Sequence, residues 1–292
     1  MTPARLFAPI FAAFALLPAA ALSYAVRDVR GNVFEFSEPP KRCATIVPSV
    51  TQNLFAIGAG ENLIANSRFC DFPEEAKSKI KIGGFIDPDY EKILELKPDV
   101  VIVPFTKEGR VERRLEKLGV KCFVLHGEGV EFISADIRML GRLVKKEARA
   151  DALAGELDAL VAQKFAAGKK QARDFMFGKM AAGKGSFVGD IVRACGLQNC
   201  ADSIGAAWAE VSREFVLSAR PEIIFAEVVN DAARAEAEHF YKTDPIWRTT
   251  PAVKNSAIFF VPRNLVIVPS ARIALALKLM RECVEKYDAK KK

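Results

Sequence analysis

Short apolar runs alternate with stretches of helical period along the first half of the chain. Ala44–Val47 and Leu63–Asn66 are brief and rich in aliphatic residues, and Asp99–Val103 and Lys121–Leu125 repeat the pattern further on. Runs of this length with polar flanks predict buried strands. Between them, Thr51–Ile57, Asp89–Leu96 and Arg110–Leu118 carry apolar residues at helical spacing, and Pro98 stops the second of these helices. Strands alternating with helices imply a parallel sheet covered on both faces.

From Val130 to about Ala167 the period changes. Phe132, Ile133, Ile137, Leu140 and Val144 recur at helical spacing, and Leu153, Leu157, Leu160 and Val161 continue it with no strand between. This predicts a long helix, or a helix pair, crossing between two lobes. The α/β pattern then resumes. Arg173–Phe177 reads as a weak strand, Gly189–Cys195 as a helix stopped by Gly196, and Glu210–Ala219 as a second helix. Glu222–Ala226 and Ala257–Val261 read as strands, and Ser270–Tyr287 as a terminal amphipathic helix. The expected architecture is α/β: two Rossmann-like lobes with parallel sheets, joined by a long backbone helix, with a ligand cleft between them. Its segments are a signal peptide at 1–25, an N-terminal lobe at 26–146, a linking helix at 147–168 and a C-terminal lobe at 169–292. Ligands of such sheets sit beyond the carboxyl ends of the strands.

The start of the chain adds a compartment. Arg5, an apolar run from Leu6 to Leu22 and the small-x-small end Ser23-Tyr24-Ala25 make a secretory signal, with cleavage expected after Ala25. Pro9 and Pro18 interrupt the run, which is shorter than the ~20 residues of a membrane span. The formal charge of +7 is spread with Asp and Glu between the Lys and Arg residues, so no nucleic-acid stripe is visible. Six cysteines in an exported chain favour disulfides; two histidines and no CxxC leave no zinc-site spacing.

Catalytic motifs are missing. Gly178–Lys184 matches GxxxxGK, but Gly185 stands where a phosphate loop needs Ser or Thr, so the segment reads as a loop before a helix. No GxSxG, HExxH or GxGxxG occurs, and nothing around Ser49, His126 and Asp99 supports a triad. His126 ends the fourth strand and should point to the cleft mouth, as an ordinary turn residue or as a metal ligand. His239 should be exposed. The aromatics say more: Phe69, Phe85 and Phe105 follow strands or turns that open on the cleft, and Trp208 precedes Glu210–Glu214 in the second lobe. Large rings there suit a flat macrocycle or an aromatic chelate, because they bury much area at low entropy cost.

The order of Arg42–Glu61, Asp71-Phe72-Pro73, Gly83-Gly84-Phe85 and Glu91–Val103, continuing to about Val284, resembles the helical-backbone class of periplasmic solute-binding proteins. These hand cobalamin, ferric siderophores or haem to ABC importers. Trp208–Glu222 is similar to the cobalamin-binding branch, where a Trp before the Val-Ser-Arg-Glu element contacts the corrin. Phe85 stands where that branch has a Trp. Arg272 matches its cleft arginine, and Arg263-Asn264 occupies the region of its acidic cleft residue.

The resemblance implies ligand binding by Phe69, Phe85, Trp208 and Arg272, and docking to the permease through Glu91 and Glu214; the place of Phe105 after a strand and the charge of Arg263 add those two residues to the ligand set. It also implies a disulfide between Cys195 and Cys283, and leaves Cys43, Cys70, Cys122 and Cys200 unassigned. The expected protein is a periplasmic monomer without catalysis or cofactor of its own. It carries a cobalt corrinoid or iron chelate to an ABC permease and ATPase, with no nucleic-acid partner. The alternatives are a ferric-siderophore protein using Arg263 and Arg272, a haem protein with His126 or Tyr241 as axial ligand, a secreted hydrolase, or a structural envelope protein.

Overall fold

The computed structural model describes residues 23–127, 129–163, 171–177 and 180–290, with the backbone alone for 171–177. The expected signal peptide therefore lies almost wholly outside the described residues. The linking helix expected over 147–168 stops earlier, at Ala162, where Gln163 is already extended (φ −61, ψ 115); residues 164–168 lie outside the described residues. In the first lobe the strands are β1 (Tyr24–Arg27), β2 (Val33–Phe36), β3 (Cys43–Thr45), β4 (Leu63–Asn66), β5 (Ile80–Lys81), β6 (Val100–Pro104) and β7 (Cys122–Leu125). The helices are α1 (Pro48–Ala56), α2 (Glu74–Lys77), α3 (Tyr90–Leu96) and α4 (Arg110–Lys117). The sheet has the order β5-β4-β3-β6-β7, and every pairing in it is parallel. Val100 to Val103 are all buried, as strands covered on both faces require.

β1 and β2 form a separate antiparallel pair. Tyr24 stacks on Phe36 at 5.8 Å between ring centres and donates its hydroxyl to the Leu143 carbonyl at 2.7 Å. A cut after Ala25 would split β1.

The predicted crossing is a helix pair, α5 (Val130–Leu143) and α6 (Glu147–Ala162). Gly141 lets them approach: a Cβ there would meet that of Ala150 and lie 3.4 Å from the Glu147 Cα.

The second lobe contains β8 (Gln171–Phe177), β9 (Met180–Ala182), β10 (Gln198–Asn199), β11 (Trp208–Glu210), β12 (Ile223–Val228) and β13 (Ile258–Pro262). Its helices are α7 (Phe187–Ala194), α8 (Arg213–Ala219), α9 (Asp231–Thr243), α10 (Pro251–Lys254), α11 (Arg263–Val266) and α12 (Ile273–Lys290). β8, β12 and β13 run parallel at its centre, while β9 and β11 add antiparallel strands at one edge.

Two expectations change here. Met180–Ala182 lies within the expected Gly178–Lys184 loop, yet it is a strand paired with Trp208–Glu210; Gly178 and Lys179 lie outside the described residues. That pairing holds Glu210 extended, so the helix expected from Glu210 starts only at Arg213, behind a Ser212 cap that accepts from the Phe215 amide at 3.1 Å.

One apolar cluster runs through both lobes and the helix pair, joining Leu54, Ile137 and Leu157 to Phe187, Val261 and Leu277. Polar contacts reinforce it. Gln52 and Asn53 are buried in the middle of α1. Gln52 Oε1 accepts from the Ser270 hydroxyl at 2.6 Å, and Asn53 Oδ1 accepts from the Ala271 amide at 2.9 Å, just before α12. At the other end, the Arg281 guanidinium of α12 donates to the Gln163 side chain at 3.0 Å and to the Ala194 carbonyl at 2.9 Å.

Candidate functional site

A cavity of about 500 Å³ lies between the lobes. Its first wall comes from strand ends and the turns after them: Val47–Val50, Phe69, Asp71, Phe85, Pro104–Thr106 and Leu125–Gly127. The opposite wall is Asn264, Ile267, Val268 and Pro269, after β13. The lining is mostly apolar, as in sites that hold large organic ligands.

Three predicted residues meet there. Phe69 is 60% exposed, and the Arg68 guanidinium lies 5.0 Å from its ring centre. Arg68 is itself paired with Asp87 at 2.6 Å. Gly84 passes so close to the Phe69 ring that a Cβ would sit 2.8 Å from it. Phe85 is half-buried against the core of the first lobe, and Phe105, held by its amide to the Leu125 carbonyl at 2.8 Å, is 47% exposed. Exposed rings at the mouth of a cleft are unsatisfied apolar surface, which marks binding sites.

The other three predicted ligand residues do not line this cavity. Trp208 stands on edge strand β11, packed edge-on against Phe187 at 6.1 Å and 39% exposed. Arg263 opens α11 and faces Glu227 of β12 at 3.8 Å; burial holds the Glu227 carboxyl above its usual range, with Arg263 opposing. Its neighbour Asn264 reaches the cavity instead. Arg272 crosses to the first lobe and lies 3.7 Å over the Phe72 ring. Burial lowers its pKa, with Asp71 opposing, and its Nη1 is buried without a hydrogen-bond partner among the described residues.

His126 does line the cavity, and so does Asp136 of α5. Asp136 Oδ1 lies 2.7 Å from His126 Nδ1 and accepts the His126 amide at 3.0 Å. Phe132 stacks on the imidazole at 4.8 Å with an interplanar angle of 4°. Burial raises the pKa of Asp136, and its bonds to His126 pull the other way. Among the described residues no group of three or more His, Cys, Asp or Glu could hold a bare metal ion. Tyr241 is not an axial-ligand candidate: it is buried in the core of the second lobe, edge-on to Trp247 at 5.3 Å. His239 is exposed, as expected, on α9.

Glu91 and Glu214 occupy twin settings. Each is exposed and second in a seven-residue helix, behind caps at Asp89 and Ser212. Each helix ends on a left-handed residue, Lys97 (φ 44) or Arg220 (φ 43), followed by Pro98 or Pro221. Phe85 and Trp208 precede the two caps by the same interval. The Glu214 carboxyl is held below its usual range by its backbone hydrogen bond and by Ser212.

The expected disulfide is not formed: Cys195 and Cys283 are thiols, buried together in the cluster that spans both lobes. Among the described residues no helix is long and apolar enough to cross a membrane.

The model of the periplasmic binding protein family matches residues 44–265. A vitamin B12-binding protein of Pectobacterium atrosepticum is 30% identical over 206 residues, which span 66% of this chain and 73% of that protein. The crystal structure of the periplasmic vitamin B12 binding protein of Vibrio cholerae superposes with a TM-score of 0.70 at 22% identity, covering 86% of this chain and 98% of that one. The periplasmic heme-binding protein of Roseiflexus sp. RS-1, in its apo form, gives 0.69 at 20% identity, covering 85% and 99%. At these identities the two structures share the two-lobed fold.

Proposed function

The chain belongs to the periplasmic binding protein family, whose members are binding proteins and not enzymes, and from that premise we propose that it binds a cobalamin-type corrinoid and delivers it to an ABC permease and its ATPase. The observation that carries this reading is the apolar inter-lobe cavity with Phe69, Phe85 and Phe105 at its rim. Rings in that position hold a large, flat, partly apolar ligand by area, without providing a cluster for a free ion. The vitamin B12-binding relative from Pectobacterium supports the corrinoid among such ligands. Arg263, Arg272 and Trp208 stand outside the cavity lining and meet only those parts of the ligand that extend beyond it, the arginines its polar edge and Trp208 its second-lobe side. Glu91 and Glu214, alike in exposure and helix position, dock the loaded protein to the permease.

A second reading, an anionic iron chelate, is favoured by Arg272, whose charge feels cavity residue Asp71 and whose Nη1 is unsatisfied among the described residues. The protein acts as a periplasmic monomer, with a first lobe that ends at 146 and includes all of β1, and a second at 169–292. Its signal is removed ahead of Tyr24, because β1 uses Tyr24; Ala21-Leu22-Ser23 offers a small-x-small site there.

Calorimetric titration with cyanocobalamin, a ferric hydroxamate and hemin tests the ligand. One-to-one heat with cyanocobalamin is expected. Heat with an iron chelate alone moves the assignment to the second reading, and no heat with any of them overturns both.

A further inference from the structure

The corrinoid or iron-chelate reading leaves one feature of the cavity without a role: the oriented histidine at its wall. His126 follows the last residue of β7, while both groups that fix it come from the first two turns of α5. Asp136 Oδ1 already accepts the His126 amide at 3.0 Å, so it is an acceptor atom, and the 2.7 Å contact is Nδ1–H donating to the same oxygen. In the neutral imidazole the proton is thereby assigned to Nδ1, which leaves the lone pair on Nε2. Phe132, parallel at 4.8 Å, prevents the ring from turning away. The imidazole is still 30% exposed and lines the cavity.

A histidine that donates one nitrogen to a carboxylate while its partly exposed ring lines an open cavity has the arrangement of metal-ligating histidines, where the carboxylate sets the tautomer and raises basicity. A resting turn histidine does not need it. Yet no cluster of three or more donor residues accompanies His126 among the described residues. One nitrogen suits a metal whose other positions are already filled by a macrocycle and which has an exchangeable axial site. The exposed Phe69 and Phe105 rings, in the same cavity, provide the surface for that macrocycle.

We propose that His126 Nε2 becomes an axial ligand of the metal in the bound chelate, so that the protein prefers macrocyclic chelates with an exchangeable axial water over saturated ones. The inference rests on the chelate reading above. In the step, the metal–water bond breaks, the Nε2–metal bond forms, water leaves, and no electron changes hands.

The test uses diaquacobinamide, which has two exchangeable waters and no nucleotide base. The whole protein is loaded, passed through gel filtration, and its visible spectrum compared with free diaquacobinamide with and without imidazole. The expected result is co-elution with the imidazole-type spectrum. His126→Gln should give the free-chelate spectrum and bind at least about 10-fold more weakly, and Asp136→Asn should weaken binding by about 10-fold while keeping a reduced shift. Co-elution of the wild type with an unshifted spectrum, or a full shift persisting in His126→Gln, overturns the axial ligand and leaves the chelate reading intact. If diaquacobinamide, cyanocobalamin, hemin and a ferric hydroxamate all fail to co-elute with the wild type, both inferences fall together.

Discussion

At the scale of single residues, burial decides what the cysteines do. Cys43, Cys122 and Cys195 have their pKa pushed up to about 12, chiefly by desolvation. At pH 8 their thiolate fraction is then only ~10⁻⁴, and the thiolate is the reactive form. Cys200 is half-exposed. A thiol reagent such as DTNB added to the native protein should therefore modify Cys200 first, and Cys43 and Cys122 only on unfolding. Labelling of Cys43 at the rate of Cys200 would contradict the packing around β3. Peptide mapping of the unreduced protein separately decides whether Cys195 and Cys283 are bonded. The rings of the site were legible at this scale, because Phe69, Phe85 and Phe105 each follow a strand or turn and strand ends point to the cleft. The opposite wall was not. Asn264, Ile267, Val268 and Pro269 follow no period, and the two arginines beside them drew attention through charge rather than position.

At the scale of elements, the helices α3 and α8 carry the delivery claim. Both hold a non-glycine residue in the left-handed region, at a cost of roughly 1–2 kcal/mol each. The left-handed residue turns the chain into Pro98 or Pro221 at one end of each helix, while Glu91 and Glu214 are exposed in the matched first turns at the other. Replacing both glutamates with Arg should abolish uptake in cells while the purified variant binds ligand with wild-type affinity; normal uptake would refute docking through this pair. A second element prediction concerns the helix pair. Gly141→Val would push α5 off Ala150 and Glu147, and overpacking of this kind costs about 2 kcal/mol, seen as a lowered denaturation midpoint.

Four strands of the first lobe's parallel sheet were readable because β3, β4, β6 and β7 are mostly apolar, and β4 begins and ends where the sequence places it, whereas the edge strand β5, only Ile80-Lys81, carries no such run. Elements at the edges were less legible. β9 and β11 are three residues long and pair only with each other and with β8, so no apolar run announces them. In α9 only Tyr241 is buried, and a helix with so narrow an inner face reads as a charged loop.

At the scale of the whole molecule, the lobes are tied rather than hinged. The apolar cluster is continuous through both, and Gln52, Asn53 and Arg281 make hydrogen bonds across their junctions. Each bond contributes about 1 kcal/mol when made, and opening the junction would leave buried polar groups unsatisfied. Small-angle scattering should accordingly show nearly the same radius of gyration with and without ligand; a marked contraction on ligand addition would mean that the junction opens.

The central claim is that the inter-lobe cavity holds the cargo through its exposed rings, and the most direct measurement is cyanocobalamin affinity in the wild type and in Phe69→Ala and Phe105→Ala. Both rings are largely exposed, so their truncation should change stability by less than about 0.5 kcal/mol. Each should nevertheless weaken binding by about 10-fold, the equivalent of about 1.4 kcal/mol of lost contact. Wild-type affinity in both variants, with the fold intact, would place the ligand elsewhere and contradict the account.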